Sequence, residues 1–321
     1  MSENILVTGY AGYIGSHICK ELTKQGYTTI GVDTQPADDE VFRKYTKFRY
    51  TWDFGDEVFV DILKKHNITK VIHTAATSLV GPSIKDPDSY YTNNVDKMHN
   101  FLNSCREAGV QRIVYSSSAA TYGDGHEVFS ESIVSNPISP YGRTKLIGEY
   151  LIDDYCRAYN MSGVGLRYFN VCGADPEVEF GQRSKPSHII SVAMTRAIKG
   201  ESMTINGDDY PTKDGTCERD YIHVVDVARA NVLALEAELD GFVAVNIGSG
   251  LGYSNRQIVD SINEFTDYKL DYNFGPARPG DPARLVCDNE LAKRTLNWNP
   301  EYSNLQTIIK TAEKWHEKLQ G

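Results

Sequence analysis

The chain contains no run of 18 or more apolar residues, so nothing in it reads as a membrane-spanning helix. Its first apolar stretch, from Asn4 and Ile5, is about five residues long and too short for a signal peptide or transit sequence, which makes a cytoplasmic location the expectation. Basic residues are outnumbered, 33 Lys and Arg against 43 Asp and Glu, and they form no run. A net charge of −10 without a basic patch excludes a phosphate-backbone binder, and no nucleic-acid partner is expected. The six cysteines (Cys19, Cys105, Cys156, Cys172, Cys217, Cys287) stand singly with no C-x-x-C, which argues against a disulfide framework and against a zinc site. The eight histidines form no H-E-x-x-H or similar grouping, so no metal is expected. The sequons at Asn67 and Asn160 lack a secretory context and read as chance matches. Internal repeats and low-complexity tracts are also absent.

What is present is a rhythm. Over 321 residues, enough for one large or two modest domains, short β-branched runs alternate with helical patterns from the N-terminus: "NILVT", then Ile14, Ile18 and Leu22, "YTTIGVD", "KFRYTW", "KVIHTAA", a helix around 89–108, "QRIVYSSS", a helix opened by Pro140, and "SGVGLRYFN". Strands separated by helices imply right-handed crossovers and a parallel sheet covered on both faces, a doubly wound α/β (Rossmann) domain. After about residue 175 the rhythm loosens, and a smaller mixed α/β substrate-binding domain is expected there, with helices near 187–199, 225–238, 254–266 and 303–318. The division expected is 1–178 and 179–321, with part of 224–253 rejoining the first unit through "FVAVNIGSG".

In "TGYAGYIG", Gly9, Gly12 and Gly15 lie between the first strand and the first helix. Without Cβ atoms the backbone turns tightly and approaches a pyrophosphate, to which the helix N-terminus presents its N–H groups. Asp33 ends the second strand, where a carboxylate accepts ribose hydroxyls; a plain loop acid is the alternative. The following "TQPADDE" has no Lys or Arg for a 2′-phosphate, which favours NAD over NADP. Asp53, after the third strand, fits an adenine contact and an ordinary turn acid about equally well.

"SPYGRTKLIGEY" places Tyr141 four residues before Lys145, one helical turn away on the same face, with Ser139 as N-cap and Pro140 as first helical residue. Of the twenty tyrosines only Tyr141 has Lys at that spacing. A surface pair worth roughly 0.2–0.5 kcal/mol would show the same spacing. "VYSSSAATYG" ends the fifth strand, and ligands bind at the carboxyl ends of strands in open α/β sheets, so Ser118 would face the helix of Tyr141.

The glycine loop, the single Y-x-x-x-K and the serine, in this chain order, resemble the short-chain dehydrogenase/reductase superfamily, extended branch. "YYTNNV" (90–95), "LRYFNVCGADP" (166–176), "DYPTKDGTCERDYIHV" (209–224) and "RPGDPARLV" (278–286) are similar to the UDP-glucose 4-epimerase family over essentially the whole chain. The resemblance implies NAD-dependent, reversible C4 epimerisation of a UDP-hexose, UDP-galactose and UDP-glucose first, through a 4-keto intermediate. It implies Ser118, Tyr141 and Lys145 as catalytic, with the Lys145 charge and that of the oxidised ring lowering the Tyr141 pKa towards neutrality. It implies Gly9, Gly12, Tyr13, Ile14, Gly15, Asp33, Asp53, Phe54, Thr74, Ala75, Ala76, Ser78, Asn93, Ser116, Tyr141, Lys145 and Phe169 around NAD. Around the UDP-sugar it implies Ser118, Tyr141, Asn170, His188, Ile189, Thr204, Asn206, Arg219, Arg278, Asp281 and Leu285, with Arg219 and Arg278 on the diphosphate and Asp281 near the uridine ribose. A guanidinium fork suits a diphosphate, and a surface salt bridge is the competing role for Arg278. A homodimer through helices near 89–108 and 141–159 is also implied.

The chain departs from the family pattern at three places. Ala76 and Ser78 stand where a lysine contact to the cofactor is usual, Leu285 stands where the family admits or excludes an N-acetyl group, and His188 replaces an asparagine. Epimerisation of another UDP-sugar (an N-acetylhexosamine, xylose/arabinose or glucuronate derivative) competes closely. A dehydratase would need acid/base groups where Ala119 and Ala120 stand, and a non-catalytic NAD sensor would not need all of Ser118, Tyr141 and Lys145.

Overall fold

The computed structural model describes residues 2–184, 186–277 and 282–320. Seven strands, β1 (Asn4–Thr8), β2 (Thr28–Asp33), β3 (Phe48–Thr51), β4 (Lys70–His73), β5 (Arg112–Ser118), β7 (Ser162–Tyr168) and β11 (Phe242–Ile247), form one sheet in the order β11-β7-β5-β4-β1-β2-β3. Every neighbouring pair in it is parallel. Successive side chains leave opposite faces, and both faces are apolar. Ile5, Val7, Ile72 and Val114 pack with Ile18 and Leu22 of the first helix, Tyr13–Lys24. Leu6, Val71 and Ile113 pack on the other side with Phe101 and Leu102 of the helix Lys97–Ala108. The chain runs outward from β1 through β2 to β3, then returns to place β4 on the other side of β1. Loops leaving β1 and β4 therefore diverge, and a crevice opens at the carboxyl ends of the strands. Thr8 pairs with His73, so both loops start at the same level.

A second sheet joins β12 (Gly252–Ser254), β10 (Glu218–His223), β14 (Arg284–Cys287) and β6 (Val128–Phe129), and β8 (Asn170–Cys172) pairs with the far end of β10. A third has only β9 (Met203–Asn206) and β13 (Tyr272–Gly275). The helices Ile189–Lys199, Asn255–Phe265 and Leu305–Gln320 close a separate core around Met194, Ile205, Ile258 and Ile309. β6 and β8 precede residue 178 yet pair with β14 and β10, while β11 follows it and pairs with β7. The two sheets are thus stitched by strand exchange, and this holds the strand that carries Arg219 against the end of the first sheet.

The helix expected over 89–108 is three pieces: Pro87–Tyr91, a π-helical turn Thr92–Asp96, and Lys97–Ala108. The short helices Glu40–Tyr45, Val80–Lys85 and Glu290–Leu296 were not expected, being too brief to show a helical period. All six cysteines are buried and none is in a disulfide. No helix among the described residues is long and apolar enough to cross a membrane.

Candidate active site

The glycine loop fills the mouth of the crevice. Gly9 has φ +71°, and a Cβ there would come within 2.7 Å of Thr74 Oγ1 and 2.8 Å of the Ala75 nitrogen. A Cβ on Gly15 would sit 2.1 Å from the Gly9 carbonyl oxygen, so the first helical turn can pack under the loop only without a side chain. No side chain caps that helix at Gly12 and no acid occupies its first turn. Its opening N–H groups are left for an anion, and the cradle suits the diphosphate of a dinucleotide. Tyr13 donates from its phenol to the Gly173 carbonyl at 2.6 Å, and Ile14 packs on the core below.

Asp33, at the end of β2, accepts from the Ala11 nitrogen at 3.1 Å and the Gln35 nitrogen at 2.9 Å, while burial raises its pKa. Arg43 and Arg49 both bond Asp38, at 2.7 and 2.9 Å, so neither is turned to a ribose phosphate. Asp53 accepts from the Gly55 nitrogen at 2.9 Å and from Lys97 at 2.5 Å, and Phe54 is buried edge-on against His73, 4.7 Å between ring centres. The turn-acid role of Asp53 thus has named partners.

The loop after β4 is held from three sides. Thr74 Oγ1 donates to the Thr8 carbonyl at 2.7 Å. Asn94, in the π turn, accepts from the Thr77 nitrogen at 2.8 Å and donates to the Thr77 carbonyl at 2.9 Å and to Thr144 Oγ1 at 3.1 Å. The Tyr90 phenol donates to the Ser78 carbonyl and, at 2.9 Å, to that of Leu79, whose φ is +84°. Ala76 lies half-buried and Ser78 exposed on this loop, and Asn93 donates to Asn94 at 3.3 Å. Sequence reasoning passed over Asn94 in favour of its neighbour, although a π turn is a common mark of a functional site. Asn94→Ala would leave the Thr77 backbone pair and the Thr144 hydroxyl without this partner. A loss of about 1–3 kcal/mol in urea-unfolding stability is expected.

Ser118, Tyr141 and Lys145 come together at the end of β5. Ser139 accepts from the Gly142 nitrogen at 3.1 Å and Pro140 is the first residue of the helix Pro140–Ala158. A Cβ on Gly142 would lie 2.2 Å from the Ala120 carbonyl oxygen, so this glycine lets the helix start sit on the turn that follows Ser118. Ser118 Oγ accepts from the Ala120 nitrogen at 3.2 Å and also bonds Tyr141. Lys145 is buried, donates to the Ser116 carbonyl at 2.7 Å, and lies 4.9 Å from the Tyr115 ring centre and 6.0 Å from that of Tyr141. The Ser116 hydroxyl points inward to the Tyr168 phenol, 3.0 Å away.

Among the chain's own groups the Tyr141 pKa is raised, because burial outweighs the Ser118 hydrogen bond; the lowering expected beside Lys145 belongs to the state with an oxidised cofactor bound. Lys145 is aimed at Ser116, and its own pKa is drawn down to about 7 by burial.

On the far wall, Asn170 donates to the Asp220 carbonyl at 3.0 Å and Arg219 donates to the carbonyls of Glu218 and Pro282, both at 2.8 Å. Arg219 pairs with Leu285 in the register of β10 and β14, and Leu285 packs on the cluster of Ala119, Phe169 and Phe129. Phe169 and Leu285 are thereby brought next to the Ser118 turn. His188 is the exposed N-cap of the helix beginning at Ile189. Thr204 and Asn206 lie on β9, apart from this cluster in the two-stranded sheet. Arg278 and Asp281 lie outside the described residues.

Residues 5–248 match the model of the NAD dependent epimerase/dehydratase family. The chain belongs to this family. A UDP-glucose 4-epimerase of Halalkalibacterium halodurans is 41% identical over 320 residues, covering 98% of this chain and 96% of the relative. The crystal structure of UDP-glucose 4-epimerase from Brucella ovis in complex with NAD is 42% identical, with a TM-score of 0.93 and 98% of each chain covered. That of UDP-glucose-4-epimerase from Stenotrophomonas maltophila, with bound NAD and formylated UDP-arabinopyranose, is 34% identical, with a TM-score of 0.94 and 99% of each covered.

In this member of the family a second residue escaped sequence reasoning. Asp220 is fully buried and accepts from Ser249 nitrogen (2.7 Å), Ser249 Oγ (2.8 Å), Gly250 nitrogen (2.8 Å) and Cys287 nitrogen (3.1 Å). It ties β10, β14 and the 248–250 turn together behind Arg219. Its only sequence signal was its place inside "CERDYIHV", beside the arginine.

Proposed function

We propose that this epimerase/dehydratase-family chain catalyses NAD-dependent, reversible inversion at C4 of a UDP-hexose, interconverting UDP-galactose and UDP-glucose. The observation that carries the reading is the convergence of Ser118, Tyr141 and Lys145 at the end of β5, beside the uncapped helix of the glycine cradle. The full-length likeness to UDP-glucose 4-epimerases supports it. NAD, when bound, supplies a reversible hydride acceptor. The cradle of Gly9, Gly12 and Gly15 would hold its diphosphate and Asp33 its adenosine ribose.

Tyr141 takes the proton of the sugar C4 hydroxyl and later returns one, with Ser118 relaying and orienting it. Because burial alone raises the phenol pKa, base strength at neutral pH depends on positive charge next to it. Lys145 provides one such charge, and the oxidised cofactor another. Arg219 anchors the diphosphate while the 4-keto sugar turns over and presents its other face. No acid/base group stands at Ala119 or Ala120, which disfavours loss of water.

Residues 1–178, with the strand within 224–253, form the NAD-binding unit of this proposal, and 179–321 the UDP-sugar unit, including Arg278 and Asp281. A cytoplasmic homodimer through Lys97–Ala108 and Pro140–Ala158 belongs to the same reading, and light scattering on a size-exclusion column tests it. A 4-epimerase for another UDP-sugar is the second reading, favoured by the UDP-arabinopyranose derivative bound by the Stenotrophomonas maltophila relative.

Purified protein with NAD and UDP-galactose is expected to produce UDP-glucose. A panel of UDP-sugars separates the two readings, and no conversion of any of them sinks both. Gly15→Ala, which drives a methyl group into the Gly9 carbonyl, is expected to weaken NAD at least about tenfold by calorimetry, or roughly 1.4 kcal/mol.

A further inference from the structure

Behind the catalytic helix lies a buried ion pair that the chemistry above does not use. Glu149 and Arg167 are 2% and 6% exposed. Glu149 Oε1 accepts from Arg167 Nε at 2.9 Å and Ser117 Oγ at 2.5 Å, and Oε2 accepts from Arg167 Nη2 at 2.6 Å. Such a two-pronged pair is strong in place, yet a well-packed apolar pair is often as stable, so stability alone gives no reason for it.

Its position does. Tyr141, Lys145 and Glu149 follow one another at four-residue steps on one face of the helix. Ser117 stands on β5 between Ser116, whose carbonyl receives Lys145, and Ser118, which bonds Tyr141. A glycine brings the helix close: a Cβ on Gly148 would meet the Tyr115 hydroxyl at 2.4 Å.

We propose that Glu149, braced by Arg167 and Ser117, is a positioning residue that keeps Lys145 charged and registers the catalytic helix on β5. The inference rests on the role given to Lys145 above. Lys145 is faced by Tyr141 and Glu149 from its own helix, Tyr115 from β5, and His73 from β4, whose proton affinity burial depresses first and the lysine charge further. Glu149 is the anion among them, and its charge opposes the burial that draws Lys145 down. Arg167 stacks over the Tyr122 ring at 4.7 Å, which secures the brace from behind.

The test is the pH profile of kcat on UDP-galactose, with Lys145 Nζ followed in parallel by NMR. Glu149→Gln keeps shape and removes the charge, so Lys145 gives up its proton at lower pH. The alkaline limb, and the NMR midpoint with it, should move about one pH unit towards acid, with KM held within about twofold. Arg167→Met leaves the carboxylate uncompensated and should move both the other way. The double variant, which buries no unpaired charge, should bring them back at least halfway. An Nζ midpoint that stays put in every variant that folds, or failure of all three to fold, overturns the proposal in favour of a purely structural pair. Wild-type inactivity on UDP-sugars would instead strike the functional reading, and the NMR midpoints would still decide this one.

Discussion

Tyr141→Phe is expected to lower kcat for the interconversion of UDP-galactose and UDP-glucose by about 10²–10⁴-fold, the range for losing a positioned general acid–base. KM should change severalfold at most. The substitution deletes one oxygen and leaves the helix start intact, because that is built by the Ser139 cap, Pro140 and the close seat of Gly142 on Ala120. The aromatic contact with Tyr90, at 6.3 Å between ring centres, survives in phenylalanine. NAD binding, read by calorimetry, should be nearly unaltered, since Lys145 and the glycine cradle are untouched. Equal loss of NAD affinity and kcat would mean that the phenol holds the helix rather than moves a proton. Ser118→Ala, which leaves Tyr141 in place without its hydrogen-bond partner, should cost less than Tyr141→Phe.

What could be read from residue order and what could not divides along physical lines. Short continuous apolar runs such as Ile5–Val7 and Ile113–Tyr115, with their intervening helices, specify a parallel sheet because both faces must be covered. The glycine loop and the Tyr141–Lys145 spacing are local in sequence, so their geometry followed from covalent structure and helix pitch. Asn94 and Asp220 act through partners far away in the chain, Thr144 at 50 residues and Cys287 at 67, and no local pattern reports such bonds. The π turn was illegible for the same reason: its register answers to Thr77 across the crevice. The upward pull of burial on the Tyr141 pKa was hidden in the same way, because burial depends on the whole fold, whereas the lysine beside it is visible in the sequence.

Acidification from pH 7 to pH 5 is expected to destabilise the fold, His73, His223 and Asp220 together contributing a net of about 3 kcal/mol, a large share of the 5–15 kcal/mol typical of a domain. The cause is histidine buried in the neutral form. His73 bonds Thr8 Oγ1 at 2.8 Å and stacks on Phe101 at 4.4 Å, and burial drives its pKa down to about 3. His223, fully buried, accepts from the Val225 nitrogen at Nδ1 (3.1 Å) and meets Thr311 Oγ1 at Nε2 (3.0 Å), so Nδ1 cannot take a proton without breaking a backbone bond; its pKa is also about 3. His17 is depressed in the same way, with Nε2 lacking a hydrogen-bond partner among the described residues. These groups bind protons near pH 6.5 when unfolded and far lower when folded, so the unfolded chain takes up more protons as pH falls through that window, and stability drops. Each of His73 and His223 accounts for about 2 kcal/mol between pH 7 and 5, and His17 adds in the same direction. Asp220 works against them: with its pKa raised to about 6, the folded state binds the extra proton and recovers about 1 kcal/mol. Carboxylates held low, such as Glu179 at about 2, lose their contribution only below the ordinary carboxylate range and leave this window to the imidazoles. Urea unfolding at pH 7, 6 and 5 with an unchanged m-value measures the effect, and His73→Phe should remove part of the pH dependence. A midpoint that does not move between pH 7 and pH 5 would mean that these imidazoles are already charged in the fold, against the acceptor role of His223 Nδ1.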